Sequence, residues 1–392
     1  MSDSSKYELR GVSATKSEVH AAIEGLDKGL FPKAFCKILP DFAAGDPAWC
    51  NLMHADTAGT KPSLAYMYWK MTGDLSVWEG IAQDALVMNL DDMACVGCVD
   101  DIIISSTIGR NKGLIPAEVI KTIIQYTNRF REEMANLGVN LHLAGGETAD
   151  VGDIVRTIDV GYTAFGRMPR KDLLINHIQP GDLIVGLASY GQSTYETAYN
   201  GGMGSNGLTS ARHDVFQHDY SSQFPETFDP SLPESVVYTG IHNLTDTIRI
   251  GDKDIPIGKL VLSPTRTYLP VIKRIFDTLR PHLHGMIHCT GGGQTKVIKF
   301  IDSVKIIKDN LLPIPPLFNL IQQSSGTGWK EMYQVFNMGH RLEVYLDEAH
   351  AAAVVDIAHS FGIDAQVVGR VATAARPEVE IHAPHGTFNY FE

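Results

Sequence analysis

A chain of 392 residues, 44% of them hydrophobic and 20% charged, with 36 glycines, has enough apolar material for a packed core and for more than one domain. Its 33 Lys and Arg against 45 Asp and Glu leave a formal net charge of −12, which argues against a general binder of nucleic-acid backbones or anionic membranes. No stretch approaches the roughly 20 apolar residues of a membrane span, and the opening MSDSSKYELRGVSATK lacks a signal-peptide core, so the expectation is a soluble cytoplasmic protein.

The path of the amino-terminal arm, Tyr7 to Lys16, is not set by its composition. Five cysteines, Cys36, Cys50, Cys95, Cys98 and Cys289, are too few for a disulfide scaffold, and the single C-x-x-C at Cys95 and Cys98 lacks the second pair a zinc site needs. The first patch with chemical content is HADTAGTKPS from His54, where Asp56 precedes a Gly59-Thr60-Lys61 turn. Glycine lets backbone N–H groups approach an anion, while Thr60 and Lys61 add a hydroxyl and a point charge. It is not a Walker A loop, since the upstream glycine is missing and Pro62 follows the lysine. A phosphate loop and an ordinary charged turn both fit. A helix follows from Glu79 to about Asp91. On it Asp84 and Asp91 are seven residues apart, about 20° from eclipsed, with Asp92 beside them. Their neighbours Ala85, Leu86, Val87, Met88 and Leu90 are apolar, so the carboxylates need a cation or donors; magnesium suits oxygen ligands, and a solvated helix face is the alternative. Ala117 to Leu137 reads as an amphipathic helix through Val119, Ile120, Ile123, Ile124, Tyr126, Phe130 and Met134. LHLAGGETAD then reads as a strand leaving into Gly145, Gly146, Glu147 and Thr148, either to expose backbone at a ligand or as a plain exit with Thr148 as a cap.

Gly166 to Gly181, with Pro169 and Pro180, is the expected inter-domain connector, giving domains 1–170 and 171–392. A strand is expected over Asp182 to Ser189. Gly202 to Gly207 (GMGSNG) satisfies G-x-G-x-x-G formally, but QSTYETAYNGG intervenes where a dinucleotide site requires a tight turn. What remains is Ser205-Asn206-Gly207 opening a helix from Leu208 to Val215, an end suited to an anion. Gln217 to Pro233, with three prolines, reads as an exposed loop. Leu269 to Leu279 reads as a helix. His288-Cys289-Thr290-Gly291-Gly292-Gly293 is a second glycine loop, and three consecutive glycines cost too much backbone entropy to be casual; His288 beside them reads as a proton carrier, a phosphate donor or a structural residue. A strand over Glu343 to Leu346 and a helix over Ala349 to Phe361 complete a mixed α/β (α+β) chain with helices flanking its sheets.

Read in order, Asp56-Thr-Ala-Gly-Thr-Lys61, Asp84 with Asp91-Asp92, Gly145-Gly-Glu-Thr148, Gly186-Leu-Ala-Ser189, Ser205-Asn-Gly207, Pro264-Thr-Arg266 with Tyr268, His288-x-Thr-Gly-Gly-Gly293 and Phe336-Asn-Met-Gly339 resemble the pattern of the aminoimidazole ribonucleotide (AIR) synthetase family, the phosphoribosylformylglycinamidine cyclo-ligases. The resemblance spans nearly the whole chain. It implies two α/β domains, the first contributing to a β-barrel across a homodimer interface and the second a mixed sheet with flanking helices. It also implies an ATP- and magnesium-dependent closure of an imidazole ring in purine biosynthesis, acting on a small ribonucleotide without nucleic acid or membrane. By the same resemblance Asp56, Asp92 and Glu147 are metal carboxylates. Gly59, Thr60 and Lys61, with Asp84, Gly145, Gly146 and Thr148, line the nucleotide site. Ser205, Asn206, Gly207, Thr290, Gly291, Gly292, Gly293 and Asn337 meet the substrate, and His288, Asp92 and Lys61 are the catalytic candidates. The chain departs from the family pattern at Thr57, at Asp91, at Ser105 in place of an aspartate, at Gly204 where a histidine precedes Ser-Asn-Gly, and at His340 and Arg341 in place of small residues. A paralogue acting on another amide-like acceptor and a non-catalytic nucleotide-binding subunit are the competing readings.

Overall fold

The structure, a computed structural model, describes residues 6–12, 21–22 and 24–391; residues 13–16 of the amino-terminal arm lie outside them. The first sheet contains β1 (Ile38–Pro40), β2 (Trp49–Thr57), β3 (Ile102–Arg110), β4 (Leu141–Asp150) and β5 (Ile158–Pro169) in the order β1-β2-β5-β3-β4. Only β3 and β4 run parallel. Three helices, α1 (Lys61–Thr72), α2 (Ser76–Ala94) and α3 (Ala117–Asn136), follow β2 and β3 in the chain, with α2 packed on β2 and β5 and α3 on α2 and β4. The buried stripe of α3 is Val119, Ile123, Tyr126, Phe130 and Met134, while Ile124 turns outward. Among the described residues the face of the sheet away from α2 is uncovered: Met53 and Ile103, in register with Phe165 between them, are 62% and 42% exposed. The sheet is open, and the expected barrel would need strands from a second copy.

Sixteen of the 19 residues of α2 are buried, as expected of a helix covered on all sides. One side faces the first sheet, and another meets the second half of the chain at the segment Ser263–Tyr268 and at helix α5, described below. The second half builds a seven-stranded mixed sheet from β6 (Leu183–Ala188), β9 (Leu283–His288), β10 (Val304–Lys308), β11 (His340–Leu346), β12 (Ala365–Thr373), β13 (Glu378–Ala383) and β14 (Gly386–Phe391), ordered β14-β13-β10-β12-β6-β11-β9. A hairpin of β7 (Thr247–Ile250) and β8 (Lys253–Pro256) stands apart. Helices α4 (Leu208–Val215) and α5 (Leu269–Leu279) have the expected bounds, and α6 (Glu348–Ser360) packs on β6 and β12. β5 runs to Pro169, so the connector begins later than Gly166. The stretch 217–233 is not a loose loop. It holds two short helical turns, buries Tyr220 and Thr227, and sets Phe224 edge-on to Tyr66 of α1.

β11 is buried along its whole length, yet it carries Glu343. The Glu343 carboxylate pairs with Lys308 Nζ, takes His340 Nε2 at 2.9 Å, and accepts Tyr345 O–H at 2.6 Å. Lys308 Nζ also donates to Gln294 O at 2.6 Å, which ties the network to the residue after Gly293. Burial alone would raise the Glu343 pKa, but Lys308 and His340 outweigh it and hold it at about 2, against an ordinary 4.5. Burial drives His340 below 6.5. Both shifts make acid destabilising. His340 resists protonation as the pH drops below 6.5, and the Glu343 contribution, complete above pH 4.5, is lost on the way to about 2. Urea midpoints of the wild type should fall steeply between pH 4.5 and about 2, and those of Glu343→Gln should fall less over the same window.

Candidate active site

The three carboxylates of α2 go to different partners. Asp84 Oδ1 accepts Lys61 Nζ at 2.9 Å and the Thr265 N–H and O–H at 2.7 and 2.6 Å. Lys61 donates as well to Ser263 O at 2.6 Å, and both charged side chains are fully buried. Burial pulls the Lys61 pKa down against the opposing pull of Asp84. Lys61 is therefore an internal ion pair rather than a point charge offered to phosphate, which corrects the reading of the Gly59-Thr60-Lys61 turn. Asp91, on the same helix face, accepts Thr267 Oγ1 at 2.7 Å and Tyr268 N at 2.8 Å just ahead of α5, a favourable place for a carboxylate. Burial raises its pKa, and His288 and the Tyr268 N–H restrain the rise. The helix face is not solvated: protein donors engage Asp84 Oδ1 and both oxygens of Asp91, while Asp84 Oδ2 is buried without a hydrogen-bond partner among the described residues.

Asp92 turns toward the junction of the halves. Its Oδ1 lies 2.7 Å from His288 Nδ1 and its Oδ2 3.5 Å from His54 Nε2. Burial opposes ionisation of Asp92, but the two histidines hold its pKa well below the usual carboxylate range. Burial would lower His54, yet Asp92, Asn89 and Asp56 together raise it. His288 is fully buried at the end of β9, and its Nε2 accepts Arg341 Nε at 3.3 Å. A neutral imidazole protonated on Nδ1 satisfies both contacts. The series His54, Asp92, His288 and Arg341 thus joins β2, α2, β9 and β11. With both ring nitrogens engaged, His288 orients its neighbours and has no nitrogen left for a substrate in this arrangement. Arg341 was noted in the sequence only as a departure, and Lys296, whose Nζ donates to Thr290 Oγ1 at 3.1 Å, was not noted at all; neither lies in a motif that announces it.

Above this series the predicted loops converge. A Cβ on Gly59 would stand 4.0 Å from Ser205 Cβ, and Thr60 Oγ1 lies 2.7 Å from Thr209 Oγ1. A Cβ on Gly291 would stand 3.5 Å from Asn206 Nδ2. Gly293 has φ +49°, and a Cβ there would come within 2.6 Å of Phe336 O, so this member of the triplet can only be glycine. Asn337 braces the loop from behind: it accepts Ser189 Oγ at 2.8 Å and donates to Gly202 O at 2.9 Å. Its amide is used in that clamp.

Gly145 to Thr148 lie elsewhere. β4 does not end at the glycine pair but continues to Asp150 across a bulge opposite Ser105, with Gly145 at φ +86°. Thr148 caps no helix. Thr57, Gly161, Thr107 and Glu147 form one row across the sheet, so two strands separate β2 from β4, roughly 14 Å at 4.8 Å per strand. Glu147 is exposed, and its Oε1 accepts the Thr148 N–H at 3.1 Å. Asp56 and Asp92 both border the His54–Asn89 pair, but Glu147 does not join them within one chain. Among the described residues the His, Asp and Glu group with ligand atoms within 4.8 Å of one another is Asp182, His284 and Asp347, at the opposite end of β9 from His288. No described helix is long and apolar enough to cross a membrane.

Comparison with known proteins gives three findings. Residues 41–168 match the model of the AIR synthase related protein N-terminal domain and residues 179–382 that of its C-terminal domain. The chain is similar to the phosphoribosylformylglycinamidine cyclo-ligase of Methanocaldococcus jannaschii, at 29% identity over 82% of this chain and 77% of that one. It is 26% identical to the enzyme of the same name from Methanococcus vannielii, over 75% of this chain and 72% of that one. Among solved structures, AaThiL complexed with AMPPCP and TMP superposes with a TM-score of 0.55 at 10% identity, over 96% of this chain and 97% of that one. T. maritima PurL complexed with FGAR gives 0.54 at 13% identity over 96% of this chain. The chain spans 49% of that PurL chain, and both likenesses concern the fold.

Proposed function

The chain belongs to the AIR synthase related protein family, and we propose that it catalyses the ATP-dependent ring closure of formylglycinamidine ribonucleotide to aminoimidazole ribonucleotide. The observation that carries this reading is the meeting of Gly59–Thr60 with Ser205–Thr209, and of Gly291 with Asn206, over the Asp92–His288 pair. Cyclo-ligase relatives matched over most of their length support it. In the reaction the formyl oxygen attacks the γ-phosphorus of ATP and ADP leaves. An amidine nitrogen then attacks the activated carbon and gives up its proton, the C–O bond breaks to release phosphate, and transfer of a proton from the ring CH2 to the exocyclic imine nitrogen leaves the aromatic aminoimidazole. An amide oxygen is a poor leaving group until it is a phosphate ester, so positioning and electrostatics supply most of the acceleration.

In this reading Gly59 and Thr60 hold nucleotide phosphate. Ser205, Asn206, Gly207 and Thr290 to Gly293 hold the ribonucleotide, with Asn337 fixing the loop beneath. Lys61 and Asp84 pin the start of α1 under the phosphate turn. His288, fixed by Asp92, orients Arg341. Asp56, Asp92 and Glu147 offer the carboxylate oxygens that magnesium takes; when bound, the ion would neutralise phosphate charge. Because Glu147 is remote within one chain, the reading includes a homodimer that covers the exposed Met53–Ile103 face and brings the β4 edge of one copy to the site of the other. The domain division is placed at 170/171, and the protein is assigned to the cytoplasm.

The test is ADP release by the purified protein with magnesium-ATP, with and without formylglycinamidine ribonucleotide, while the imidazole product is followed. Substrate-dependent ADP with equal product is expected. ADP without the ring product would overturn the reading in favour of another acceptor, and no substrate-dependent ADP would favour a nucleotide-binding subunit.

A further inference from the structure

Two polar groups in the cleft are buried and without a hydrogen-bond partner among the described residues: Arg341 Nη1 and Ser205 Oγ. Gly204 is next to both. A Cβ built on Gly204 would stand 3.9 Å from both Cδ and Nη1 of Arg341, and Ser205 is the next residue along the chain. The rest of the guanidinium is fixed. Nε donates to His288 Nε2 at 3.3 Å, Nη2 donates to Arg266 O at 2.5 Å, and the Tyr268 ring lies 5.4 Å from Cζ.

Arg341 also lacks a countercharge among the described residues. Lys61, Lys308, Arg266 and Arg10 are also buried, and each has a carboxylate partner, in Asp84, Glu343, Glu196 and Asp214. Arg341 is 2% exposed and makes no ion pair among the described residues; the nearby Asp91 spends its oxygens on Thr267 and Tyr268. Arg212, also buried without a carboxylate, gives its Nη1 to Thr227 O and Tyr238 Oη and leaves its Nε without a partner among the described residues, but it lies away from the Ser205 loop, under Thr227 and Tyr238. A buried cation with one donor unused is costly unless an anion arrives to complete it. Planar Nη–H groups suit carboxylate and phosphate oxygens.

We propose that Arg341 is a specificity-determining residue of this cleft: its Nη1 and Ser205 Oγ seat one oxygen of an anionic group on the substrate, beneath the Gly204 turn. His288 and the Arg266 carbonyl are positioning groups that aim the guanidinium. The proposal rests on the reading of this cleft as the substrate site and deepens it by assigning the seat of an oxyanion, a phosphate monoester or a carboxylate, to Arg341, a residue outside the family motifs.

Two probes on the full-length protein separate the sources: ribose 5-phosphate for a phosphate monoester and acetate for a carboxylate, each titrated calorimetrically into the wild type, Arg341→Met, Arg341→Lys and Ser205→Ala. One probe is expected to bind the wild type and to lose about tenfold or more in affinity in Arg341→Met, the scale of one charge-assisted hydrogen bond. Ser205→Ala should lose less, and Arg341→Lys should recover part of the binding. Should Arg341→Met fail to fold, Arg341→Lys and Ser205→Ala decide. The proposal is overturned if neither probe binds the wild type, or if binding is the same in every folded variant. Because binding is read without turnover, a protein that seats the probe through Arg341 yet does not cyclise formylglycinamidine ribonucleotide retires the reaction and keeps the seat; the reverse result retires the seat and keeps the reaction.

Discussion

Asp92→Asn is expected to lower substrate-dependent ADP release about a hundred- to a thousandfold, the scale of losing one preorganised polar group, while leaving the fold intact. The side chain is nearly isosteric, so packing along α2 is preserved. What changes is that Asp92 now accepts through both oxygens, from His288 Nδ1 at 2.7 Å and toward His54 Nε2 at 3.5 Å. An amide has one oxygen and one NH2, so one histidine loses its acceptor. The proton on His288 Nδ1 is then no longer held in place, and Nε2 is no longer fixed as the acceptor of Arg341 Nε. The variant also removes one of the carboxylates proposed for magnesium. An unfolding midpoint close to that of the wild type with turnover down by this factor is the expected pair of results. Turnover within a fewfold of the wild type would remove Asp92 and His288 from the chemistry.

How far the sequence reaches depends on the distance over which each feature is decided. Helices α3, α4, α5 and α6 were legible because a 3.6-residue apolar stripe is local. The carboxylate spacing on α2 was equally local, and Asp84 and Asp91 do share a face, reaching Thr265 and Tyr268 on one neighbouring segment. The strands β2 and β5 were missed, and β3 was expected through the resemblance alone, at about Ser105. β4 was cut short at its glycine pair, because a strand exposed from His142 to Thr148 has no buried face to impose alternation. Lys61 read as a phosphate ligand because nothing near it in the chain announces that Asp84 will bury with it. The pairing of Asp92 with His288 spans 196 residues and left no periodic trace. Gly204 and Arg341 each read as an isolated departure; the fold places them side by side.

Asp84→Ala is expected to be the most destabilising single change at the site, by about 3–5 kcal/mol, the cost of leaving a buried charge without its partner. Lys61 Nζ is fully buried, and after Asp84 the acceptor that remains to it is Ser263 O. The Thr265 N–H and O–H lose the same carboxylate oxygen. Their loss reaches across the contact between α2 and the second half, so the two halves should loosen together and lower the urea midpoint of the whole chain. The charge and the volume can be separated. If the uncompensated ammonium is the main cost, Lys61→Met combined with Asp84→Ala should be more stable than Asp84→Ala alone, because an apolar stem replaces a stranded cation. If the double variant is the less stable of the two, the damage lies in the cavity and in the Thr265 donors. The same comparison bears on function. A double variant that refolds and still binds nucleotide would establish that Lys61 serves the phosphate turn by holding α1 in place, whereas loss of nucleotide affinity in a well-folded Lys61→Met would return the lysine to the phosphates and require the ion pair to open when ligand arrives.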